Sequence, residues 1–380
     1  YAQIAWPQLV QSADLLGPEV TTLVAYAHAG LLAWCARLFM RGDERSFVAR
    51  ILSPPPAVIA AAGLCIANLA YGAWAMAHWT RVAAAAPRIE VALVQANPEE
   101  PDGVEALRTL TESTCASTAG PPGIVCWPES SGGCYDDRLE SFADPDEVAR
   151  LVREPTACLR PLDNPPCPIL FGGKFYRGHP DRPRALYQSG ILVDATHAII
   201  GRYHKRHLMP FGEYVPGEDW YPDLKRLFPT QDTLTEGGAP TVMSLGGDAR
   251  IGTMLCYEDM ISTAARSMVA HGATVLVSLI NGSAFTEPLT LTQHRLLAQL
   301  RAVETRRCLV RCAATGETCI IMPSGTIAES LPLHDRGVLR ADVPLLEGRT
   351  LYSRTGRILP AVCALAVGVI VWRRCIATSC

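Results

Sequence analysis

RIGTMLCYED, residues 250–259, decides how this chain is read. Residues 250–255 are short and largely apolar, as in a strand buried on both faces. The strand runs directly into Cys256, so a thiol stands at a strand end, where a loop can present it to a ligand. A cysteine after an apolar run is more often a small core residue. Its meaning therefore depends on what the rest of the chain brings beside it.

Working outward, the same pattern repeats. On the C-terminal side a helix is predicted over 263–271, then a buried strand ATVLVSLI over 273–280. A helix over 291–306 follows, with Leu296, Leu297, Leu300 and Val303 at helical spacing. Strands over 308–313 and 318–322 close the domain before a turn at Pro323-Ser324-Gly325. On the N-terminal side lies a hairpin, 186–194 with 197–203, and a strand PILFG over 168–172. Before those come GIVCW over 123–127, ending at Pro128-Glu129, a polar helix over 102–115, and IEVALVQ over 89–95 running into the turn-forming Asn97-Pro98. An Ala-rich linker is expected over 82–86. Apolar strands alternating with helices predict a layered α/β domain with covered sheets. No internal repeat, GxGxxG, Walker loop or GxSxG elbow is present.

The chain has 380 residues, 49% hydrophobic and 19% charged, against about 25% charged in an ordinary soluble domain. The deficit collects in three stretches. Residues 20–36 and 57–79 contain no Asp, Glu, Lys or Arg, and the second reaches roughly 35 Å as a helix, enough to cross a bilayer core. Residues 358–372 are shorter, with Arg357 before them and Arg373 and Arg374 after. A buried core helix is the bland alternative for 57–79 and for 358–372. Read as membrane helices, they have an orientation set by positive residues, which favour the cytoplasmic side of short loops. Arg41, Arg45 and Arg50 lie between the first two stretches, and Arg373 and Arg374 beyond the last. The segment between 79 and 357 is then outside, in the periplasm or on the outer face of a bacterial membrane.

The expected division is a membrane region over 1–81 with helices at about 20–40 and 57–79, a catalytic domain over 88–350, a C-terminal transmembrane helix over 357–374, and a tail over 375–380. The first residue is Tyr1 and no signal-peptide pattern follows, so further helices upstream are expected. A net charge of −3 argues for no particular partner, and no basic run suggests nucleic acid. Of the 14 cysteines, Cys158 and Cys167 bracket the Pro-rich CLRPLDNPPC and are expected to pair in an outward-facing domain. Without a CxxC pair, zinc has little support, and a metal role for His204 and His207, three apart on one loop, is set aside.

Three residues stand at predicted strand ends or just beyond: Glu129 in VCWPES, Lys205 in GRYHKRHLMPFGEYVP (201–216), and Cys256. Singly, each has a bland reading as a solvated carboxylate, part of a wet basic patch, or a core thiol. Together they fit one mechanism. A thiol attacks an acyl carbon to give a thioester, a carboxylate takes its proton, and a cation supports the oxyanion and favours the thiolate.

These motifs, in this order, resemble the nitrilase (carbon–nitrogen hydrolase) superfamily, and more closely the apolipoprotein N-acyltransferase family. RYHKRHLMPFGEYVP resembles that family's lysine motif, LCYED its nucleophile motif, VALVQANP the opening strand of its catalytic domain, and QHRLLAQLRAVETRRCLVR its late helix and following strand. PQLVQSADLLG near the start and LYSRTG before the last apolar stretch extend the likeness over nearly the whole chain. The resemblance implies an αββα sandwich flanked by transmembrane helices, standing outside the bacterial inner membrane. It implies transfer of an acyl chain from a phospholipid, through a cysteine thioester, to the α-amine of a lipid-modified N-terminal cysteine on an apolipoprotein. Carried onto this sequence, Cys256 is the nucleophile, Glu129 the base and Lys205 the oxyanion partner. Glu213, Tyr257 and Glu258 match further site positions that support substrate or oxyanion. No metal or organic cofactor is implied, and a monomer is expected.

The chain departs from the family pattern after Ile280. Asn281-Gly282-Ser283-Ala284-Phe285 lacks the usual acidic residue and Trp, and Ala314 stands where an Asn is usual. Altered specificity or a catalytically relaxed paralogue is therefore an alternative, as are a membrane-anchored amidase using the same three residues and a binding domain that keeps only the fold.

Overall fold

The computed structural model describes residues 2–40, 53–132, 135–136, 166–179, 182–196, 198–228, 233–283, 285 and 287–378. After short helical turns at Ala2–Ala5, Pro7–Val10 and Ala13–Leu16 come two long helices, α1 (Glu19–Met40) and α2 (Pro56–Ala85). Both are long and apolar enough to cross a membrane by length and composition. Helix α2 continues through the stretch read as a linker. Alanine is the strongest helix former, so a run of alanines prolongs a helix until something stops it, and here Pro87 follows.

The sandwich begins with β1 (Arg88–Gln95), α3 (Gly103–Cys115), β2 (Ile124–Cys126), β3 (Tyr135–Asp136), β4 (Ile169–His179), β5 (Arg182–Val193) and β6 (Ile199–His204). It continues with β7 (Val242–Ser244), β8 (Arg250–Leu255), α4 (Ser262–Ala270), β9 (Val275–Ile280), α5 (Pro288–Thr305), β10 (Leu309–Ala313), β11 (Cys319–Ile321), β12 (Ile327–Ser330) and β13 (Gly337–Pro344). A last helix, α6 (Ile358–Thr378), ends the described chain.

The strands form two sheets. One has the order β13-β1-β2-β4-β5-β6, with β3 beside β4; the other has β12-β11-β10-β9-β8-β7. Each is parallel at its centre, β1-β2-β4 in the first and β8-β9-β10 in the second, and antiparallel at its margins. The period of two sorts the side chains. Val91 and Leu93 turn into the core between the sheets, which also holds Ile251, Leu255, Val277 and Val310. Ala92 and Val94 turn the other way and pack with Leu107 of α3. On the far side α4 lies so close to the second sheet that a Cβ on Gly252 would come within 2.7 Å of Met268 Cβ. The result is a mixed α–β–β–α sandwich.

Helix α5 is buried on more than one face. Ala298 and Ala302 join the main core, while Leu300 and Val303 pack with Ile4, Val10, Ala13, Val20 and Val24 of the N-terminal region. Strands β12 and β13 extend the domain beyond the two strands expected to close it. The expected Cys158–Cys167 pair has one partner, Cys158, outside the described residues. Cys167 is a buried free thiol whose Sγ lies 3.9 Å from that of Cys115.

Candidate active site

Cys256 sits where β8 ends and a 3-10 turn, Cys256–Met260, begins. Its φ is +50°, in the left-handed region that a residue with a side chain enters only when its surroundings enforce it. The enforcement comes from the turn's other residues. Asp259, fully buried, accepts from Ser278 Oγ at 3.0 Å and Arg311 Nε at 3.2 Å through Oδ2, and its Oδ1 lies 2.6 Å from His294 Nε2. Burial alone would raise the Asp259 carboxyl, but His294 and Arg311 outweigh it and hold it below the usual range. The turn that carries Cys256 is thus bolted to β9, β10 and α5.

Glu258 does the same towards the other sheet. Its Oε1 accepts from Tyr203 OH at 2.8 Å and from the backbone N–H groups of Arg206 at 2.9 Å and His207 at 3.0 Å, while Oε2 accepts from Leu255 N at 2.9 Å. Glu258, which the resemblance implies supports substrate or oxyanion, makes these contacts within the protein. With no exposed surface and both oxygens occupied, it ties the Lys205 loop to the Cys256 turn. A Glu258→Gln variant puts an NH₂ group among those donors. At about 1–3 kcal/mol for each buried donor left unpaired, the thermal midpoint is expected to fall. An unchanged midpoint would remove Glu258 from this role.

Lys205 follows β6, its backbone fixed by N–H donation to Gln188 O at 2.8 Å and acceptance from Gly237 N at 2.8 Å. Its side chain is 1% exposed, with Nζ 2.5 Å from Glu213 Oε1 and 3.4 Å from Glu129 Oε1. Burial works against the ammonium, but the charges of Glu129 and Glu213 oppose it, and the lysine is held above its ordinary range. Glu213 is itself held by Met209 N, which donates to Oε2 at 2.8 Å. Glu129 follows β2 beside Gly172, where a Cβ would come within 2.5 Å of Glu129 Cα; only glycine lets β4 pass. Glu129 Oε2 accepts from Asn281 N at 3.2 Å. Burial is the main cause that pushes its carboxyl above the usual range, with Lys205 opposing and Glu213 adding. The half-buried Cys256 thiol is pushed well above its ordinary value by burial and by the charge of Glu129, against the pull of Lys205. The resting Cys256 is therefore a neutral thiol.

Tyr257 lies with its ring centre 5.5 Å from Lys205 Nζ and its hydroxyl donating to Leu208 O at 2.6 Å; burial pushes that hydroxyl up to about 12. His204 lies 2.7 Å from Ser189 Oγ and stacks on Tyr187, and His207 Nδ1 is 3.3 Å from Glu258. No group of three or more possible metal ligands occurs among the described residues.

A cavity of about 460 Å³ opens over the carboxylates, lined in part by Glu99, Glu129, Gln188, Glu213, Asn281 and Ser283. Asn281 is a hub there: its amide donates to Glu99 Oε1 at 2.7 Å and its Oδ1 accepts from Ser283 N at 3.0 Å. Ala284 of the altered loop lies outside the described residues. A second cavity of about 690 Å³ lies behind Tyr257, between Arg206, Leu208 and Tyr214. On the segment after Lys205, Phe211, Trp220, Tyr221, Leu227 and Phe228 expose large apolar side chains.

The carbon–nitrogen hydrolase family model matches residues 90–351, the sandwich just described. The chain belongs to that family. Among curated relatives, this carbon–nitrogen hydrolase is similar to the apolipoprotein N-acyltransferase of Geobacter metallireducens, 29% identical over 97% of this chain and 68% of that one. It is also similar to those of Azotobacter vinelandii, 31% identical over 80% and 57%, and Chlorobaculum tepidum, 30% identical over 75% and 56%. The chain spans from just over half to about two thirds of the length of these relatives.

The sequence-predicted Glu129, Lys205, Cys256 and Glu213 are brought together, with Tyr257 alongside. The residues that sequence reading missed are the buried supports Asp259, His294 and Arg311. Their only signal was polar side chains inside apolar stretches, which reads equally well as an exposed helix face.

Proposed function

We propose that this chain transfers a fatty acyl group from a phospholipid to the N-terminal amine of a diacylglyceryl-cysteine lipoprotein. The observation that carries the reading is the reach of the similarity. The likeness to apolipoprotein N-acyltransferases runs over 97% of the chain, through the apolar helices that flank residues 90–351. In this reading Glu129 takes the Cys256 proton, the sulfur attacks the ester carbonyl, and Lys205 supports the oxyanion while Glu213 holds the lysine. The C–O bond breaks, lysophospholipid leaves with the proton, and a thioester remains. The acceptor amine then attacks the thioester, forming the amide, and its proton returns to the sulfur.

Helices α1, α2 and α6 serve as transmembrane anchors, with the sandwich (88–350) between the membrane region (1–81) and the last helix (357–374), on the outer side of a multi-pass inner-membrane protein. Both substrates are lipids, and drawing them into water costs about 0.8 kcal/mol for each CH₂ exposed, a cost that anchoring avoids. The exposed aromatic side chains after Lys205 suit a surface that meets lipid. The polar cavity over Glu129 favours a second reading, hydrolysis of a small amide by the same residues.

The test is the intact mass of the protein in phospholipid nanodiscs beside a Cys256→Ala version. One added fatty acyl group on the wild type alone, removed by neutral hydroxylamine, is the expected result. Folded protein with a reduced Cys256 and no adduct would overturn phospholipid as donor, and turnover of small amides would then support the hydrolase.

A further inference from the structure

The C-terminal end of α5 gathers buried charge that the proposed chemistry does not use. Arg306 caps the helix at φ +52° and is 1% exposed. Its guanidinium donates from Nε (2.9 Å) and Nη2 (2.7 Å) to Asp14 Oδ2, from Nη1 to Gln11 Oε1 (2.7 Å) and Pro323 O (3.0 Å), and from Nη2 to Gln11 O (3.1 Å). All five donors of the fork are used, and the strained cap is over-determined by them. Helix α2 closes the other side. Arg306 Cζ lies 5.3 Å from the centre of the Trp79 ring, and Tyr71 OH is 2.8 Å from both oxygens of Asp14.

Two residues earlier, the fully buried Glu304 ties down the C-terminal segment. Its carboxylate accepts from Ser262 Oγ at 2.7 Å, that hydroxyl lies 2.6 Å from Tyr352 OH, and the Glu304 carbonyl accepts from Thr350 Oγ1 at 2.7 Å. Residues 350–352 stand just before α6. Further along the same helix are two links to the nucleophile turn. His294 reaches Asp259, and Arg301 donates to the carbonyl of Met260.

We propose that α5 is a strut that fixes the position of Cys256 relative to the flanking apolar helices, with Arg306 as the positioning residue that anchors it. The proposal rests on reading those helices as membrane spans and phospholipid as the donor. A lipid reaches the sandwich from one plane only, so the height and tilt of the nucleophile decide whether the ester carbonyl comes within attack distance. Misplacement of about 1 Å can cost about 10²-fold in rate. A donor dissolved in water arrives from any direction and does not depend on that alignment.

A second variant loosens the seam without touching Arg306. A Cβ on Gly72 would lie 2.0 Å from Gln8 O, so Gly72→Ala must push the 7–10 turn off α2.

The experiment reconstitutes wild type, Arg306→Ala, Arg306→Lys and Gly72→Ala in phospholipid nanodiscs. It compares acylation of Cys256 by bilayer phospholipid with acylation by a water-soluble p-nitrophenyl ester, and follows hydrogen exchange over residues 7–16. Arg306→Ala and Gly72→Ala are expected to lose at least tenfold with phospholipid, stay within twofold with the soluble ester, and exchange at least tenfold faster over 7–16. Arg306→Lys, which keeps the charge without the fork, falls between. Parallel loss with both donors marks general damage and overturns the proposal, as does unchanged exchange, or faster exchange with no selective loss. Wild type that accepts acyl groups from the ester alone removes the donor reading, and the strut's purpose with it. Arg306→Ala that uses phospholipid as well as wild type removes the strut alone.

Discussion

Replacing Glu129 with glutamine is expected to slow acylation of Cys256 by about 10²–10⁴-fold, the range for a lost general base, while the protein stays folded. The amide has the carboxylate's shape, and Lys205 keeps Glu213 at 2.5 Å, so no buried charge is stranded. What is lost is a proton acceptor beside a thiol that does not ionise by itself. Burial and the charge of Glu129 push the Cys256 thiol well above its ordinary value. The pH dependence carries the signature. As the proposed base Glu129 works as the carboxylate, and burial raises its titration above the ordinary 4.5. In the wild type the rate therefore falls as pH drops through a midpoint above that value. In Glu129→Gln this acid limb disappears, and the residual rate climbs with pH towards ionisation of the thiol. Single-turnover adduct formation followed by mass against pH gives both readings. A variant that keeps the acid limb, or loses less than threefold, would exclude Glu129 as the base.

Strands such as β1, β8 and β9 were legible in the sequence because both of their faces are buried. A sequence cannot hide six consecutive buried residues like those of β9. Strand β13 was missed for the opposite reason. Leu339 and Val343 are buried, but Arg340 and Asp342 between and beside them read as loop, and the partner strand β1 lies some 250 positions away. Glu129, Lys205 and Cys256 could be read because chemistry restricts what such residues do together, and because their motifs resemble a known family. Supporting residues carry no such mark. Glu258, two positions after the thiol, looks reactive on paper, and the ring of donors around it shows that it holds two loops together. Arg306 and Asp14 are separated by 292 positions, and nothing in VETRR announces that one of its charges is buried in a left-handed cap. Local pattern reveals the elements and the reacting groups; the contacts that align them are set by the fold.

Lys205→Met is expected to damage the site through two separable effects. The first is stability. Lys205 Nζ lies between Glu213 and Glu129 at 2.5 and 3.4 Å, and removing it leaves two carboxylates facing each other in a buried place. Stripping one partner from a buried ion pair costs about 3–5 kcal/mol. Protonating either carboxylate relieves the repulsion, and this fixes the sign of the pH effect. In the variant a folded-state carboxyl is raised above its unfolded value, so the penalty is full at high pH and shrinks as pH falls through that raised value. The unfolding midpoint of Lys205→Met should therefore approach that of the wild type in mild acid. The second effect is catalytic. Loss of one oxyanion donor costs about 10²–10³-fold, and a Glu129 that takes a proton to escape Glu213 is no longer a base. Adding Glu213→Gln to Lys205→Met separates the two. The double variant should regain part of the lost midpoint at neutral pH without regaining acylation. A midpoint insensitive to pH and to Glu213→Gln would mean that the lysine does not neutralise the pair. Recovery of acylation in the double variant would mean that it does not support the oxyanion.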